Sequence, residues 1–384
     1  MEDSKRLIIA DALRDIAEKA RYGAPVLKIG LMAAGSEHGQ EEVLRGGLLA
    51  QAEHPGLRVV AIGPRLSGFD ALEWIETPDC EADIAAGLEK AVREGVVAGA
   101  VAMRFPFPIG VATVGRIVTP GRGRPMFIAS CTGSTAAARA EALLRNTLYG
   151  SAVAKACGIA EPGVAFLNLD GAGAVLRALT RMRENGYAIR FGKSARGDGG
   201  ALLRGNDIVS GEADVLVCDS LTGNALVKIF STFTTGGRYE SLGWGYGPSV
   251  GENWKRIVSI ISRASGAPVI AGALSLTAQA AAGRLPARVA EELSAARAAG
   301  FDAVLEALKP KAATAQQEIA KPPVVPVDAE IAGVDVMDME NAACSLWKHN
   351  IYAETAMGCT GPLVRVRAAD KEKAVEILKQ EGYI

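Results

Sequence analysis

The sequence predicts an α/β fold, with a doubly wound and mostly parallel sheet and a small α/β module at the carboxyl end. Two observations support this prediction. Short, nearly continuous apolar runs alternate with segments rich in Ala, Leu and Arg, which is typical of strands buried on both faces of a parallel sheet and of the helices that cover them. The 44 glycines fall mostly where a strand passes into a helix, as such a fold requires.

The strands and helices of the main part of the chain can be assigned in order. After an amphipathic segment at the amino terminus, each β-branched run is followed by a small-residue loop and a helix. The predicted strands are residues 26–33, 57–62, 99–103, 125–129, 163–168 and 214–218. The predicted helices begin at about residue 40 and then cover residues 136–146, 174–186, 225–230, 252–264 and 280–308.

The carboxyl-terminal part differs in composition. Residues 1–307 are predicted to form the α/β domain, and residues 308–327, rich in Ala, Pro and Lys, form a linker. Residues 328–384 form a module with a strand at 363–368 between two helices. A module of this size is too small to be strongly stable alone, so we expect it to dock on the main domain. Two alternatives stay open: the linker is a semi-rigid spacer for a mobile arm, or it wraps the surface while the module stays docked.

Composition and charge limit the classes of function. A formal net charge of -1 gives no electrostatic reason to bind nucleic acid or an anionic membrane. The acidic start of the chain lacks the features of a signal peptide, and no apolar run approaches the roughly 18 residues of a membrane span. The six cysteines are dispersed without a C-x-x-C pair, which is typical of reduced cytosolic thiols. We therefore expect a soluble, cytoplasmic protein.

Cys359 is the most informative single residue. It lies between glycines in residues 354–362, ETAMGCTGP, in a loop that enters a predicted strand. Glycine gives the backbone freedom and leaves the side chain exposed, whereas a structural cysteine more naturally lies within an apolar run. We therefore expect a presented thiol that carries out thiol or thioester chemistry.

Three small-residue loops predict anion binding. Residues 130–135, 170–173 and 220–224 each open a predicted helix, where unpaired N–H groups and the positive end of the helix dipole attract anions. Residues 190–200, together with Arg204, supply positive charge between glycines. The alternative is that these basic residues only solvate a surface loop. The residues predicted to bind phosphate or substrate are Ser130, Thr132, Gly133, Ser134, Lys193, Arg196, Arg204, Asp219, Thr222, Gly223 and Asn224.

Histidine and the remaining cysteines give weaker signals. His38, in the run GSEHG at a strand exit, is the best placed of three histidines to act as a catalytic acid or base; alternatively, His38 or Glu37 caps the following helix. Cys131, in an anion-type loop, could be a second reactive thiol. Cys80, Cys157 and Cys218 are typical of core or strand positions.

A metal site is not expected. Cys344, His349 and Cys359 could form a zinc site only with a spacing that fits no standard pattern. The chain also has no Gly-x-Gly-x-x-G fingerprint and no cysteine spacing of the iron–sulfur type, so no redox cofactor is implied.

Residues 205–228, GNDIVSGEADVLVCDSLTGNALVK, resemble the signature of the bacterial phosphate acyltransferases of phospholipid synthesis. Residues 161–170 also resemble the strand that precedes this signature in those enzymes. The chain departs from them at Ser220, where they have glycine, at the GSEHG run, and in the tail that carries Cys359.

A second resemblance accounts for these departures. The ordered set GSEHG, MRFPFPIG, KSARGDGG, LLRGNDIV, DSLTGN and TAMGCTGP resembles the alpha subunit of component C of glycine/sarcosine/betaine reductase over nearly the whole chain. The resemblance implies an isocitrate/isopropylmalate dehydrogenase-like sheet of the phosphate acyltransferase type. It also implies that an acetyl group passes from a selenoprotein-bound carboxymethyl adduct to a protein thiol, at the position of Cys359, and is released by inorganic phosphate as acetyl phosphate.

The same resemblance implies the partners. They are the beta subunit of component C, selenoprotein A of the reductase and inorganic phosphate as a substrate, in a homo- or hetero-oligomer, with no further cofactor. Two other functions stay open at this point. One is a phosphate acyltransferase that uses an acyl carrier protein and has a structural tail. The other is a non-catalytic assembly subunit whose partner carries out the chemistry.

Overall fold

The computed structural model describes residues 26–196, 199–308, 321–335, 338–358 and 361–384. Within these residues, the main domain contains one sheet of twelve strands. The strands are β1 (Leu27–Met32), β2 (Leu57–Gly63), β3 (Glu73–Glu76), β4 (Gly99–Ala102), β5 (Val111–Val118), β6 (Pro125–Ser134), β7 (Gly163–Leu167), β8 (Arg190–Phe191), β9 (Leu202–Leu203), β10 (Val215–Val217), β11 (Gly247–Gly251) and β12 (Val258–Ile260). Their order is β3-β2-β1-β4-β12-β11-β5-β6-β10-β7-β8, and β9 also pairs with β7.

The sheet consists of two parallel halves that run in opposite directions. β3, β2, β1, β4 and β12 are parallel to one another, and so are β6, β10, β7, β8 and β9. Between the halves, β11 pairs antiparallel with β12 and β5, and β5 pairs antiparallel with β6. The carboxyl ends of the strands in the two halves therefore lie along opposite edges of the sheet, where an edge is the line along which the strands end. The predicted doubly wound, mostly parallel sheet is confirmed.

Helices cover both faces of the sheet, as the nearly continuous apolar strands require. They are α1 (Gln40–Glu53), α2 (Glu81–Arg93), α3 (Arg139–Ala156), α4 (Ala172–Glu184), α5 (Gly205–Ser210), α6 (Ser220–Thr232), α7 (Ala267–Ala282), α8 (Leu285–Ala298) and α9 (Phe301–Leu308). In β2, Val59 and Ala61 enter the core beneath α1 and α7, whereas Val60 and Ile62 enter the core beneath α2. No helix of the described residues is long and apolar enough to cross a membrane.

Two of the predicted helices are wrong. Residues 252–264 contain strand β12, because the β-branched run at 256–262 pairs with β4 and β11. Residues 280–308 are not one helix, since the chain breaks at Gly283 and at Gly300, which has φ +96°. A Cβ at Gly283 would lie 1.9 Å from the carbonyl oxygen of Ala156. Strands β3, β5, β8, β9 and β11 and helices α2, α5 and α7 were not predicted.

Two of the three predicted anion loops have other structures. Residues 130–134 are the end of β6, which extends to Ser134 because it pairs with β5 through Val111 and Ala112. Residues 220–224 are the first turn of α6, which begins at Ser220 after Asp219. The loop before α4 is present as predicted.

The carboxyl-terminal module has a core of its own. Its antiparallel sheet has the order β13-β15-β14, and two helices pack on it. The elements are β13 (Ala329–Ala332), α10 (Met339–Lys348), β14 (Ala353–Gly358), β15 (Gly361–Val366) and α11 (Lys371–Gln380). The predicted amino-terminal helix, residues 309–320 of the predicted linker and Cys359 lie outside the described residues.

Helix α6 lies against β6 at Gly223, and this contact can be tested. An ideal Cβ at Gly223 would lie 1.8 Å from the carbonyl oxygen of Ser130. We expect Gly223→Ala to lower the free energy of unfolding by about 3 kcal/mol, because backbone on both sides would have to move. Urea denaturation measures the change. Gly56→Ala is the control, since a Cβ there meets no atom within 4 Å; equal stability of the two variants would contradict the packing role.

Candidate functional site

Most of the residues predicted to bind phosphate lie along one edge of the sheet, at the carboxyl ends of one parallel half. β6, β10, β7, β8 and β9 are parallel, so their carboxyl ends meet there, and ligands of such sheets bind at this position. Thr132, Gly133 and Ser134 end β6, while Asp219 follows β10 and Arg204 follows β9. The structure therefore brings these segments to the same edge, as predicted.

The amino terminus of α6 is already capped by the chain itself. The backbone N–H of Thr222 donates to Asp219 Oδ1 at 3.0 Å, and the Thr222 hydroxyl donates to Asp219 Oδ2 at 2.7 Å. Partial burial opposes ionisation of Asp219, but the hydrogen bonds from Thr222 hold its pKa below the ordinary value. The Asp219 carboxylate thus occupies the position that an external anion would take.

The amino terminus of α4 is also occupied. The backbone N–H of Gly171 donates to Asp335 Oδ2 at 3.0 Å, and Asp335 belongs to the carboxyl-terminal module. By contrast, α3 begins at Arg139 after Ala138 with no side-chain cap among the described residues. Of the termini of α3, α4 and α6 at this edge, that of α3, next to Ser134, is the best candidate for an external anion.

Ser130 and Gly223 support the edge from below. Ser130 is 3% exposed, and the Asn146 amide nitrogen donates to its hydroxyl at 3.3 Å and to the Cys218 carbonyl at 3.0 Å. Thr135 donates to Asn146 Oδ1 at 2.8 Å. This network fixes the ends of β6 and β10 to α3, so the role of Ser130 is structural. Thr132 shares a hydrogen bond of 3.0 Å with Thr113 on β5.

The basic loop after β8 is held in place by Asp207. The Ser194 hydroxyl and the Ala195 N–H donate to Asp207 Oδ1 at 2.9 and 3.0 Å, and the Arg204 N–H donates to Oδ2 at 3.0 Å. Asp207 is 3% exposed. Burial opposes its ionisation, but these hydrogen bonds hold its pKa below the ordinary value. Ser194, Ala195 and Arg204 are therefore held around a buried carboxylate, unlike residues of a plain solvated run.

Lys193 does not meet the predicted phosphate loops. It lines a cavity of about 800 Å³ between α3, α4 and β8, together with Arg183 and Arg190. Neither residues 130–135 nor residues 219–224 line this cavity. The predicted convergence of Lys193 with those loops is wrong, because β8 lies two strands beyond β10 in the sheet.

His38 lies at the opposite edge, at the carboxyl ends of β1 and β12. Its Nε2 donates to the Ala264 carbonyl at 3.2 Å, and its ring lies 5.2 Å from that of Tyr239. Neither His38 nor Glu37 caps α1, since Gly39 is the capping residue and no side chain caps it. His38 instead fixes the GSEHG loop to the segment after β12.

A buried ion pair lies beside His38. Glu240 is fully buried, and Lys228 on α6 donates to Glu240 Oε1 at 2.7 Å and to the Ser262 hydroxyl at 2.7 Å. Ser265 donates to Glu240 Oε2 at 2.8 Å. The Lys228 side chain is 40% exposed. Its ammonium group therefore contacts the buried Glu240 carboxylate and is also accessible to solvent. The positive charge beside two hydroxyl groups suits an oxyanion.

Sequence reasoning missed most of this second cluster. Lys228 lies in the signature run 205–228, Ser262 lies in a segment predicted as a helix, and Glu240 and Ser265 lie outside the predicted strands and helices. The available signal was the polar run 262–265 after a β-branched segment. Asp219 and Lys228 are nine positions apart on α6, or about 14 Å along its axis. His38 and the phosphate loops therefore do not form one compact site.

Three of the five described cysteines are poor nucleophiles. Cys131 is 1% exposed, and burial raises its pKa to about 12, so it stays protonated at neutral pH and the prediction of a second reactive thiol there is wrong. Burial also raises the pKa of Cys157 and Cys218. Cys80 is exposed, contrary to the expected core position. Among the described residues, no group of three or more His, Cys, Asp or Glu is arranged to hold a metal ion.

Comparison with known proteins identifies the family. The model of a family described as "Fatty acid synthesis protein" matches residues 27–365. The chain is 46% identical over 388 residues to the glycine/sarcosine/betaine reductase complex component C subunit alpha of Peptoclostridium acidaminophilum, with full coverage of both chains. This chain belongs to the component C alpha-subunit family. The resemblance found in the sequence motifs is confirmed.

This chain also shares part of its sequence with phosphate acyltransferases. This chain is 28% identical over 244 residues to the phosphate acyltransferase of Azorhizobium caulinodans, covering 53% of this chain and 68% of that protein. A solved branched-chain phosphotransacylase from Enterococcus faecalis V583 superposes with a TM-score of 0.46 at 18% identity, covering 66% of this chain and 99% of that chain. At this TM-score the structural likeness does not bear on function.

The role of Asp207 can be tested through the pH dependence of stability. Its lowered pKa stabilises the fold at pH values above the ordinary aspartate pKa, and this contribution is lost as pH falls through the lowered native pKa. We expect Asp207→Asn to lose about 2 kcal/mol at pH 7, since a charged acceptor of several hydrogen bonds is removed, and to show a weaker loss of stability on acidification. Denaturant titrations from pH 7 to pH 3 measure both effects.

The control for this test is Asp70→Asn, because Asp70 is three-quarters exposed in its pair with Arg65 and surface pairs contribute little. If the two variants lose the same stability with the same pH dependence, Asp207 does not organise the basic loop.

Proposed function

We propose that this chain transfers an acetyl group from a protein thioester to inorganic phosphate, giving acetyl phosphate, as the alpha subunit of component C of a glycine/sarcosine/betaine reductase. The observation that carries the proposal is the 46% identity over the full chain, tail included. Gly358 and Gly361 pair at the ends of β14 and β15, and Cys359 and Thr360 stand between them in sequence. We assign the acyl group to Cys359.

The proposed reaction has two steps. In the first step the C–Se bond of the carboxymethyl selenide breaks and the methylene carbon is protonated, while a thiol of the selenoprotein forms an Se–S bond with the selenium. The carboxyl carbon forms a C–S bond with Cys359 as one carboxylate oxygen leaves as hydroxide, which gives the acetyl thioester. A phosphate oxygen then attacks the thioester carbonyl; a C–O bond forms, the C–S bond breaks and the thiolate leaves. N–H donors stabilise the oxyanion of the tetrahedral intermediate. Inorganic phosphate enters the reaction as a substrate, and the reaction needs no cofactor.

We place the phosphate at the amino terminus of α3. Its capping residue, Ala138, has no side-chain acceptor, and Ser134 ends the adjacent strand. Arg139, in the first turn, is 59% exposed and pairs with Asp170 at 3.1 Å. The termini of α4 and α6 are less suitable, because Asp335 and Asp219 already accept their N–H groups. Lys228 and His38 lie at the opposite edge of the sheet, at the carboxyl ends of β1 and β12. They are candidates for acid–base catalysis or for binding an oxyanion.

The proposal includes the partners that the reaction requires. The acyl donor is selenoprotein A of the reductase, and the beta subunit of component C completes the assembly, in the cytoplasm. A second candidate function is a phosphate acyltransferase that uses an acyl carrier protein. The 28% identity over 244 residues to such an enzyme favours it, and it requires no acyl group on Cys359.

The thioester is the first test. Incubation with acetyl phosphate should add one acetyl group to the wild-type protein and none to Cys359→Ala, because the reverse of the second step loads the thiol. Intact-protein mass spectrometry measures the addition, and hydroxylamine should remove it. Cys80→Ala is the matched control, since Cys80 is exposed and lies in the main domain. Equal labelling of Cys359→Ala and wild type would refute the assignment.

The phosphate position is the second test. Arg139→Gln should raise the KM for phosphate about tenfold, or about 1.4 kcal/mol, because a charge next to the bound anion is removed. Release of the acetyl group from the pre-acylated protein, followed at several phosphate concentrations, measures the KM. Lys193→Gln should change it less. The reverse order would place phosphate in the cavity beside β8.

A further inference from the structure

The carboxyl-terminal module contacts the main domain through the carboxylate of Asp335. Strand β13 ends at Ala332, and Gly333, with φ +100°, then turns the chain. Val334 is buried in the module core, while Asp335 points the other way and is 8% exposed. Its Oδ2 accepts the hydrogen bond of 3.0 Å from Gly171 N–H, 164 positions earlier in the chain.

Helix α4 depends on this residue for its cap. Its capping residue is Gly171, which has no side chain to supply an acceptor, and its first turn contains no acidic residue. Helix α6, by contrast, carries its own cap in Asp219. A helix amino terminus is stabilised by a carboxylate that accepts its free N–H groups and faces the positive end of its dipole. For α4, the module supplies that carboxylate.

A cation on α4 adds to the attraction. Arg177 lies on the second turn and is partly buried, which lowers its pKa, while the charges of Asp338 and Asp335 act in the opposite direction. Gly173 lies on the same side, since a Cβ there would be at an ordinary contact distance of 3.7 Å from Asp335 Oδ2. The docking surface thus combines a helix terminus and an arginine, both next to the carboxylate of Asp335.

This contact lies beside the terminus of α3. Asp170 directly precedes Gly171, and Arg139, the first residue of α3, donates to Asp170 Oδ2 at 3.1 Å. A short path therefore runs from Asp335 through residues 170 and 171 to Arg139. The module that contains residue 359 is held next to the helix terminus to which the preceding subsection assigns phosphate.

We propose that Asp335 is the positioning residue of the carboxyl-terminal module: its charge caps α4 and holds the module beside the α3 terminus. The docking part of this proposal stands on the contacts alone, and the positioning part rests on the proposed acyl transfer. The module is therefore docked through a charge-dependent contact, which salt weakens. This arrangement is intermediate between the two alternatives of a mobile arm and a module that always stays docked.

The docking part is tested by hydrogen exchange on the full chain with Asp335→Asn. The asparagine keeps an oxygen that can accept from Gly171, so the variant removes the charge and little else. We expect the amides of residues 171–174 to exchange about tenfold faster or more, while residues 363–366, inside the module sheet, keep the wild-type rate. Raising the salt concentration should speed exchange at residues 171–174 in the wild type and leave the variant nearly unchanged.

Two further variants keep the test decisive. Asp328→Asn is the matched control, because Asp328 accepts from Ala368 N–H within the module and does not reach α4; it should leave residues 171–174 unchanged. Arg177→Gln should give a smaller acceleration and serves if Asp335→Asn does not fold. If residues 171–174 exchange at the same rate in wild type, Asp335→Asn and Arg177→Gln, the docking role is refuted.

The positioning part has a separate readout. After acylation at residue 359, the Asp335→Asn protein should release acetyl phosphate at least tenfold more slowly at saturating phosphate, with acylation by acetyl donor intact. Faster exchange at 171–174 without slower release would refute positioning and leave docking in place. A wild-type protein that takes up no acetyl group would refute the proposed function, and the exchange result would still decide whether Asp335 docks the module.

Discussion

The reversal of strand direction at the centre of the sheet is the constraint on which the rest of the structure depends. β5 and β11 run between two parallel halves and pair antiparallel with their neighbours. β11 approaches β5 so closely that a Cβ at Gly247 would lie 1.8 Å from the carbonyl oxygen of Val114. On the other side of β5, a Cβ at Gly133 of β6 would lie 2.4 Å from the carbonyl oxygen of Val111. Because the halves point in opposite directions, their functional loops lie at opposite edges, and α6 spans the distance between them.

Carboxylates of the chain itself decide which helix termini can bind an external anion. A helix amino terminus attracts any anion, and in a folded protein the nearest anion is often an aspartate. Asp219 satisfies α6 locally, and Asp335 satisfies α4 from a distant part of the chain. The same physical attraction that suggests a phosphate site thus also explains why a given terminus is not one. A terminus that can bind an external anion is distinguished from an occupied one only by whether its N–H groups already have hydrogen-bond partners.

Two buried carboxylates organise the remaining polar loops. Removing a charge from water costs several kcal/mol unless hydrogen bonds and an opposite charge replace the solvent. Glu240 is fully buried and receives Lys228 and Ser265. Asp207 receives two backbone N–H groups and the Ser194 hydroxyl. In both cases the requirement to satisfy the carboxylate determines the loop conformation, since any other loop path would leave a buried charge without partners.

The amino-acid sequence alone determined the fold class, the family and the positions of six of the twelve strands of the main sheet. β1, β2, β7 and β10 lie within a residue or two of their predicted bounds, because continuous apolar runs between glycines can only be buried strands in a parallel sheet. The ordered motifs were specific enough to identify the component C alpha-subunit family. The expectation that strand ends carry the functional loops followed from the same pattern.

Only the tertiary structure decided where the site residues meet. The extension of β6 to Ser134 depends on pairing with β5, and β12 is a strand because β4 and β11 lie on either side of it. The separation of His38 from the phosphate loops follows from the opposite directions of the sheet halves. The cap of α4 by Asp335 joins residues 164 positions apart. Local propensity contains no information about such partners, because each contact forms only after the chain has folded around it.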